Sequence, residues 1–327
     1  MEKNIIALAH SPELISQLSN DSLSQLYVLD PLYRIPIADN TSPIFGVSVD
    51  ELPLSKAIVF YQRLATIAYG HNRGKDIAYC YSEIARLMDK QEMPETILYQ
   101  AKEKLAVGQA QKCIDMLMPL LKKPTYEEVS ELLFVSSLQV VFDAYCQKGD
   151  FAKTKELLVS VSEKYDTVNL GSVPEDVLEP LLGILIQAAY CKCYYEETGL
   201  ENLEKTLLAL EPFIKKRGIG HPYTYIYEMS LTNYYRLSGQ ITEMRRHGWL
   251  SEVTAVATYG KESFLWSRAA GMNHASHSKE LKSIKKFGLM AQHGKRSFNN
   301  RFLDNIPSSE IDPDVLSALE RENNFWA

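Results

Sequence analysis

Few residues in this chain have the types and spacing that catalysis requires. The sequence contains no G-x-S-x-G nucleophile turn, no G-x-x-x-x-G-K-[ST] phosphate loop, no H-E-x-x-H zinc motif and no glycine-rich dinucleotide loop. His274 and His277 could share one helix face, but no carboxylate or cysteine lies close by in sequence to complete a metal shell. We therefore expect surface or capping histidines, no cofactor and no metal. An enzyme with an unrecognised site is the less favoured alternative.

The cysteines offer a second possible chemistry. They number five, and three of them follow an Ala-Tyr pair: Cys80, Cys146 and Cys191. No two form a C-x-x-C motif, and Cys191 and Cys193 would lie about 200° apart around a helix, so they do not converge on a metal. A chain of this length does not need disulfides. We predict that all the cysteines are buried small hydrophobes in helices.

Composition narrows the class of protein. The chain has 327 residues, of which 46% are hydrophobic and 23% charged, and these fractions are typical of globular proteins. A net charge of −6 argues against a protein devoted as a whole to nucleic acid. The opening MEKNIIALAH has too few consecutive apolar residues for a signal peptide or a membrane span. We expect a soluble, cytoplasmic protein without a membrane partner.

Apolar residues recur with helical spacing through most of the chain. There is no sustained Val/Ile/Thr alternation and no Asn-Gly or Asp-Gly hairpin signal, so the sequence predicts an all-α fold. The stretch FAKTKELLVSVSEKY shows the pattern most clearly, with an apolar face opposite a face of Lys, Glu and Ser.

The stretch DAYCQKGDFAKTKELL resembles the helix-turn-helix junction of a tetratricopeptide repeat. In that family an aromatic residue stands four residues before a turn glycine and another stands two after it, and Tyr145, Gly149 and Phe151 occupy these places. Glycine permits the left-handed turn between antiparallel helices, and we expect the two aromatics to fill the wedge between them.

Similar glycines punctuate the rest of the chain. Gly108, Gly149, Gly199 and Gly239 are 41, 50 and 40 residues apart, which exceeds the roughly 34 residues of a standard unit. The resemblance implies a right-handed superhelix, an α-solenoid, of antiparallel helical hairpins. We assign residues 1–53 to an N-terminal capping segment with short helices, 54–260 to the hairpins, 261–301 to a basic, irregular last hairpin, and 302–327 to an acidic C-terminal tail.

The resemblance also implies a function. Proteins of this family bind a peptide or protein in a concave groove, so we expect a scaffold that acts as an adaptor, chaperone or regulatory subunit. The alternative is a peptide-sensing transcriptional regulator, similar to the bacterial pheromone receptors, that acts through a partner. The family's register places Gln139, Asp143 and Gln147 on the concave side of one helix and Asn233 and Arg236 on that of another.

Tyrosines concentrate in HPYTYIYEMSLTNYYRLSGQ. They cannot all share one helix face, and aromatic packing between hairpins is the favoured interpretation. The alternative is that some of them, Tyr227 among them, border a binding groove.

A basic segment precedes the acidic tail. Residues 261–301 hold nine basic and two acidic residues, and residues 302–327 hold six acidic residues and one basic. A solvated helix face is the default for the basic segment, and contact with an anionic partner is the alternative; its candidate residues are Lys279, Lys282, Lys285 and Lys286. We hypothesise that the tail folds back on this basic face through Phe325 and Trp326, with a frayed terminus as the alternative.

Overall fold

The structure is a computed structural model of the chain. It describes residues 53–122, 129–167, 169–193, 203–261, 263–277, 303 and 306–325. These residues form α-helices joined by short turns and two 3₁₀ turns, with no strand among them, so the all-α prediction is confirmed for this part of the chain. The helices are α1 (Leu54–Gly70), α2 (Gly74–Asp89), α3 (Thr96–Ala106), α4 (Ala110–Leu121), α5 (Glu131–Lys148), α6 (Phe151–Lys164), α7 (Glu175–Cys191), α8 (Leu203–Arg217), α9 (Pro222–Leu237), α10 (Ile241–Tyr259), α11 (Phe264–His277) and α12 (Pro313–Phe325).

Local sequence explains the junction between α5 and α6. The Ser130 side chain caps α5 by accepting a hydrogen bond from the Leu133 N–H. Gly149 ends that helix in the left-handed conformation, with φ 68° and ψ 22°, and the Asp150 carboxylate caps α6. The predicted turn is therefore confirmed. Its aromatics separate, however, because Tyr145 packs on the core of the first five helices and Phe151 on the next core along the chain.

The other turn glycines behave in the same way where they are described. Gly108 has φ 79° between α3 and α4, and Gly239 has φ 74° between α9 and α10. In both cases a left-handed residue reverses the chain within a few residues, a conformation that glycine adopts without steric cost. Gly199 lies outside the described residues.

Most helices pack on their neighbours in the chain, and the first described helix also packs on two of the later ones. Each helix from α1 to α6 packs on the next, α7 packs on α5 and α9, and α9, α10 and α11 pack in succession. Helix α1 also packs against α10 and α11. The first described helix thus meets the last hairpin, so the helices enclose a space between them.

The contact that joins α1 to α10 depends on a glycine. Gly70 ends α1 against Tyr259, and a Cβ atom added at Gly70 would lie 2.6 Å from the Tyr259 Cβ. Tyr259 is buried in a small aromatic cluster, with its ring 5.3 Å from that of Tyr225 and 6.4 Å from that of Tyr69. Only a residue without a side chain allows this approach.

The C-terminal segment is docked on the first half of the protein. Leu303, Ile306, Ile311 and Val315 are buried in the core formed by α1 to α5. Around the turn at Gly108, the Asp312 N–H donates to the Gly108 carbonyl and the Asp312 carboxylate accepts from a backbone N–H of α4.

This docking contradicts the frayed-terminus alternative for the described part of the tail. The described part of the tail is held by aliphatic residues against α3, α4 and α5, and frayed ends do not bury side chains in this way. The proposed anchor Trp326, the Phe325 side chain and most of the basic segment, residues 278–301, lie outside the described residues.

A glycine-to-alanine pair tests the α1–α10 contact. Gly70→Ala should lower the free energy of unfolding by roughly 1–3 kcal/mol, because the new methyl group overlaps Tyr259. Gly248→Ala, inside α10, should raise it by up to about 1 kcal/mol, because its nearest neighbours lie 3.7 Å away and alanine favours the helix. Chemical denaturation measures both. Equal effects of the two substitutions would show that Gly70 is not packed against Tyr259.

A second pair tests the docked tail. Val315 is fully buried, so Val315→Asp should release α12 and speed hydrogen exchange of its backbone amides. Asp314→Asn removes only an ion pair to Lys148 from a side chain that is 69% exposed, so it should leave the exchange almost unchanged. Unaltered protection in Val315→Asp would contradict the docking.

Candidate functional site

A cavity of about 300 Å³ lies between the helices. This volume is at the lower end of the range for ligand-binding pockets. Seven helices form its wall: α1, α2, α3, α5, α7, α9 and α10. The lining residues are Ala65, Thr66, Tyr69, Ile77, Tyr81, Lys102, Leu105, Ala106, Gln139, Val140, Asp143, Cys146, Gln147, Gly183, Gln187, Pro222, Tyr223, Ile226 and Tyr259. Most are apolar or aromatic, and a few polar groups converge among them.

Lys102 supplies the positive charge in this wall. Its Nζ lies 5.0 Å from the centre of the Tyr99 ring and 5.8 Å from that of Tyr81, within the range of cation–π attraction. Burial lowers the pKa of Lys102, and the charge of Asp143 partly opposes that shift. The ammonium group is therefore held away from bulk water by aromatic faces.

Asp143 supplies the negative charge. Burial raises its pKa from 3.8 to about 7, although the nearby charge of Lys102 lowers it. Its remaining exposed surface faces the cavity, which reconciles a half-buried side chain with a strongly perturbed carboxyl group. Near neutral pH this group is divided between its charged and neutral forms.

Lys102 and Asp143 face the same space without forming a direct pair. Within the described residues, neither side chain makes a hydrogen bond or an ion pair with another group. An ammonium group has three donors and a carboxylate has two acceptor oxygens. Both groups therefore keep unused hydrogen-bonding capacity, and both side chains line the cavity.

One wall is built on a close approach at Gly183. The Gln139 amide donates a hydrogen bond of 2.8 Å to the Tyr223 hydroxyl. A Cβ atom at Gly183 would lie 2.1 Å from the Gln139 Nε2 and 2.4 Å from the Tyr223 Oη. Glycine in the middle of α7 therefore makes room for this bond, and a larger residue would push both side chains towards the cavity.

The tyrosines that border the cavity are neutral. Burial raises the pKa of Tyr69, Tyr81 and Tyr223, and the charge of Asp143 raises each of them further. Three phenols from α1, α2 and α9 therefore surround the carboxylate within electrostatic range. They provide apolar ring faces together with hydroxyl groups.

The structure brings together only part of the predicted groove. Gln139, Asp143 and Gln147 all lie in the cavity wall. Gln147 is almost fully buried, and its amide donates to the Leu105 carbonyl, so it ties α5 to α3. The role of these residues in binding stays a prediction.

Asn233, Arg236 and Tyr227 lie outside the cavity. The Asn233 amide is buried and donates to the Cys193 carbonyl, while Arg236 is exposed and donates to the Asn233 side chain. Tyr227 is buried in the second core. In this tyrosine-rich stretch it is Tyr223 that borders the cavity.

The predicted anionic-partner surface lies outside the described residues. This applies to Lys279, Lys282, Lys285 and Lys286. The side chains of His274 and His277 are likewise not described. Among the residues that are, no group of three or more His, Cys, Asp or Glu side chains could hold a metal ion.

The cysteine prediction is confirmed, with one addition. All five thiols are free and buried. Two of them meet, because the Sγ atoms of Cys146 and Cys191 lie 3.6 Å apart, and both belong to the Ala-Tyr-Cys repeats. The hydrogen bond between Cys146 and Cys191 and burial together raise the pKa of Cys146 well above its usual value. A protonated thiol is a poor nucleophile, so this pair contributes packing.

Comparison with models of protein families, with curated proteins and with solved structures finds no match for this chain. The resemblance to tetratricopeptide repeats therefore rests on the residues themselves.

No helix in the described ranges is long and apolar enough to cross a membrane.

Sequence reasoning missed Lys102, although a signal was present. Lys102 stands six residues before the turn glycine Gly108, as Asp143 stands six before Gly149. The same register places Ala106 and Gln147, two residues before their glycines, in the cavity wall. Applying the Gly149 register to the preceding hairpin would have identified the lysine.

The raised pKa of Asp143 predicts a pH dependence of stability. Between about pH 4 and pH 7 the folded protein retains a proton that the unfolded chain has lost, so this group lowers stability as the pH rises through that range. Asp143→Asn removes the contribution. The variant's free energy of unfolding minus that of the wild type should therefore increase by on the order of 3 kcal/mol between pH 4 and pH 7.

Denaturation at a series of pH values measures this difference. In Lys102→Met, the pH range over which Asp143 lowers stability should extend to higher pH, because Lys102 lowers the pKa of Asp143. Parallel pH profiles for the wild type and Asp143→Asn would show that the carboxyl group is not perturbed.

Proposed function

We propose that this protein is a non-enzymatic scaffold resembling tetratricopeptide-repeat proteins, with hairpins in a right-handed superhelical order, that binds a short peptide or the end of a partner chain. Adaptors, chaperones and regulatory subunits share this binding step. The single observation that carries the proposal is the cavity, whose largely apolar and aromatic wall includes Lys102 and Asp143, two groups with unused hydrogen-bonding capacity.

The shared register of two hairpins supports the comparison with the repeat family. Positions six, three and two residues before the turn glycine line the cavity in both the Gly108 and the Gly149 hairpin. Repeated hairpins that present equivalent positions to one surface are the means by which helical-repeat proteins build a binding site.

The chemistry of the wall suits a peptide. Amides such as those of Gln139 and Gln187 match the donors and acceptors of a peptide bond, and apolar residues such as Ile77 and Ile226 accept side chains. The alternative interpretation, a peptide-sensing transcriptional regulator that acts through a partner, would use the same binding step.

We propose a cytoplasmic location, as the sequence indicated. Five free, buried thiols suit a reducing compartment, where disulfides are rare.

Equilibrium dialysis against a synthetic library of random peptides, from dipeptides to hexapeptides, tests the proposal. The wild-type protein should concentrate a subset of the library. Gly183→Ala should weaken that binding by about tenfold or more, because the new methyl group displaces Gln139 and Tyr223 into the cavity. Retained peptides are identified by mass spectrometry.

Two further variants make the result specific. Gly171→Ala is the matched control, because its nearest neighbour would lie 3.5 Å from the new Cβ atom, so it should bind as the wild type does. Ile226→Trp fills the cavity from α9 and should also block binding. A wild-type protein that retains no peptide, or equal binding by Gly183→Ala and Gly171→Ala, would overturn the proposal.

A further inference from the structure

The charges in the cavity restrict the class of ligand beyond the general proposal of a peptide. Lys102 and Asp143 are the charged side chains among the described lining residues, and they carry opposite signs. The rest of the wall is apolar, aromatic or neutral and polar. A ligand must therefore meet one cation and one anion within a space of about 300 Å³.

An ion of a single sign leaves one of these groups without a partner. A carboxylate ligand would pair with Lys102 and hold Asp143 in its neutral form, which its raised pKa makes accessible near neutral pH, so Asp143 would form no charge-assisted pair. An ammonium ligand would pair with Asp143 and bring a second positive charge towards Lys102. A ligand with one charge therefore forms a charge-assisted pair with only one of the two groups, and it gains less than a ligand that pairs with both.

A ligand with both charges meets both requirements. Its carboxylate can accept from the Lys102 ammonium, and its ammonium can donate to the Asp143 carboxylate, which gives charge-assisted hydrogen bonds at two ends. Free amino acids and very short peptides carry these two groups only a few bonds apart. Longer peptides separate them by more than a cavity of this size spans.

The surrounding aromatic groups favour the same arrangement. Tyr69, Tyr81 and Tyr223 lie close enough to Asp143 for its charge to raise their pKa values, so a ligand ammonium at Asp143 would have phenol rings around it. Aromatic faces attract ammonium groups, as the Tyr81 and Tyr99 rings already do for Lys102.

From this geometry we infer that the cavity binds a short zwitterionic ligand, a free amino acid or a dipeptide, whose α-carboxylate pairs with Lys102 and whose α-ammonium pairs with Asp143. This inference rests on the proposed binding function and specifies its ligand. Lys102 and Asp143 are then the residues that select the two chain ends, and the apolar wall selects the side chains.

The test compares three dipeptide libraries by equilibrium dialysis with the full-length chain. One library has free ends, one is N-acetylated and one is C-amidated. The free library should be retained, and blocking either end should weaken retention by about tenfold or more, because each block removes one charge-assisted pair.

Variants assign each end to its partner. Lys102→Met should bind free and C-amidated dipeptides equally weakly, and should still discriminate against N-acetylation. Asp143→Asn should show the reverse pattern. The matched controls are the exposed residues Lys153→Met and Asp89→Asn, which should keep the wild-type preference for two free ends.

The outcomes separate this inference from the proposed function. If random short peptides bind in a Gly183-dependent manner but blocking the ends of dipeptides changes nothing, the zwitterion inference is wrong and the peptide-binding proposal stands. If neither a peptide of any length nor a free amino acid is retained, both are wrong. Loss of binding on amidation that persists in Lys102→Met would also overturn the assignment of the carboxylate to that residue.

Discussion

The contact between Gly70 and Tyr259 is the constraint on which the cavity depends. Neighbouring helices in this chain pack in sequence order, which by itself would leave a row with two free ends. Because Gly70 has no side chain, α1 approaches the end of α10 closely enough for Tyr69 and Tyr259 to share one aromatic cluster. Both tyrosines also line the cavity, so the contact that joins the first hairpin to the last also forms part of the cavity wall.

Enclosure explains the electrostatic state of the site. In an open groove, Lys102 and Asp143 would be solvated and their pKa values would lie near those of free side chains. Between the helices, burial lowers the pKa of Lys102 and raises the pKa of Asp143. The unbound protein therefore holds a partly buried cation and a carboxyl group that is partly neutral near pH 7, at a cost in stability. A ligand that compensates both charges would recover part of that free energy.

Local signals in the sequence predicted much of this structure, and distant contacts account for the rest. The turn at Gly149 and the burial of the cysteines follow from helical periodicity and the conformational freedom of glycine. The concave position expected for Asp143 came instead from the register of the resembled repeat family, and Asp143 lies in the cavity wall. Asn233, which the same register placed on the concave side, lies outside the cavity wall, because α9 meets the cavity through Tyr223 and Ile226 in its first half. How far each helix slides along its neighbours is set by packing between residues far apart in sequence, and no local pattern records it.

The C-terminal segment links the two helices that carry the cavity charges. At one end of the segment, Ile311 packs on Gly108. Gly108 forms the turn that follows α3, and α3 carries Lys102. At the other, Asp314 pairs with Lys148 at the end of α5, the helix of Asp143. Buried aliphatic side chains from the tail fill the space between these points. The separation of Lys102 and Asp143 is therefore held from two sides: by the Gln147–Leu105 hydrogen bond near the cavity, and by a tail about two hundred residues away in sequence.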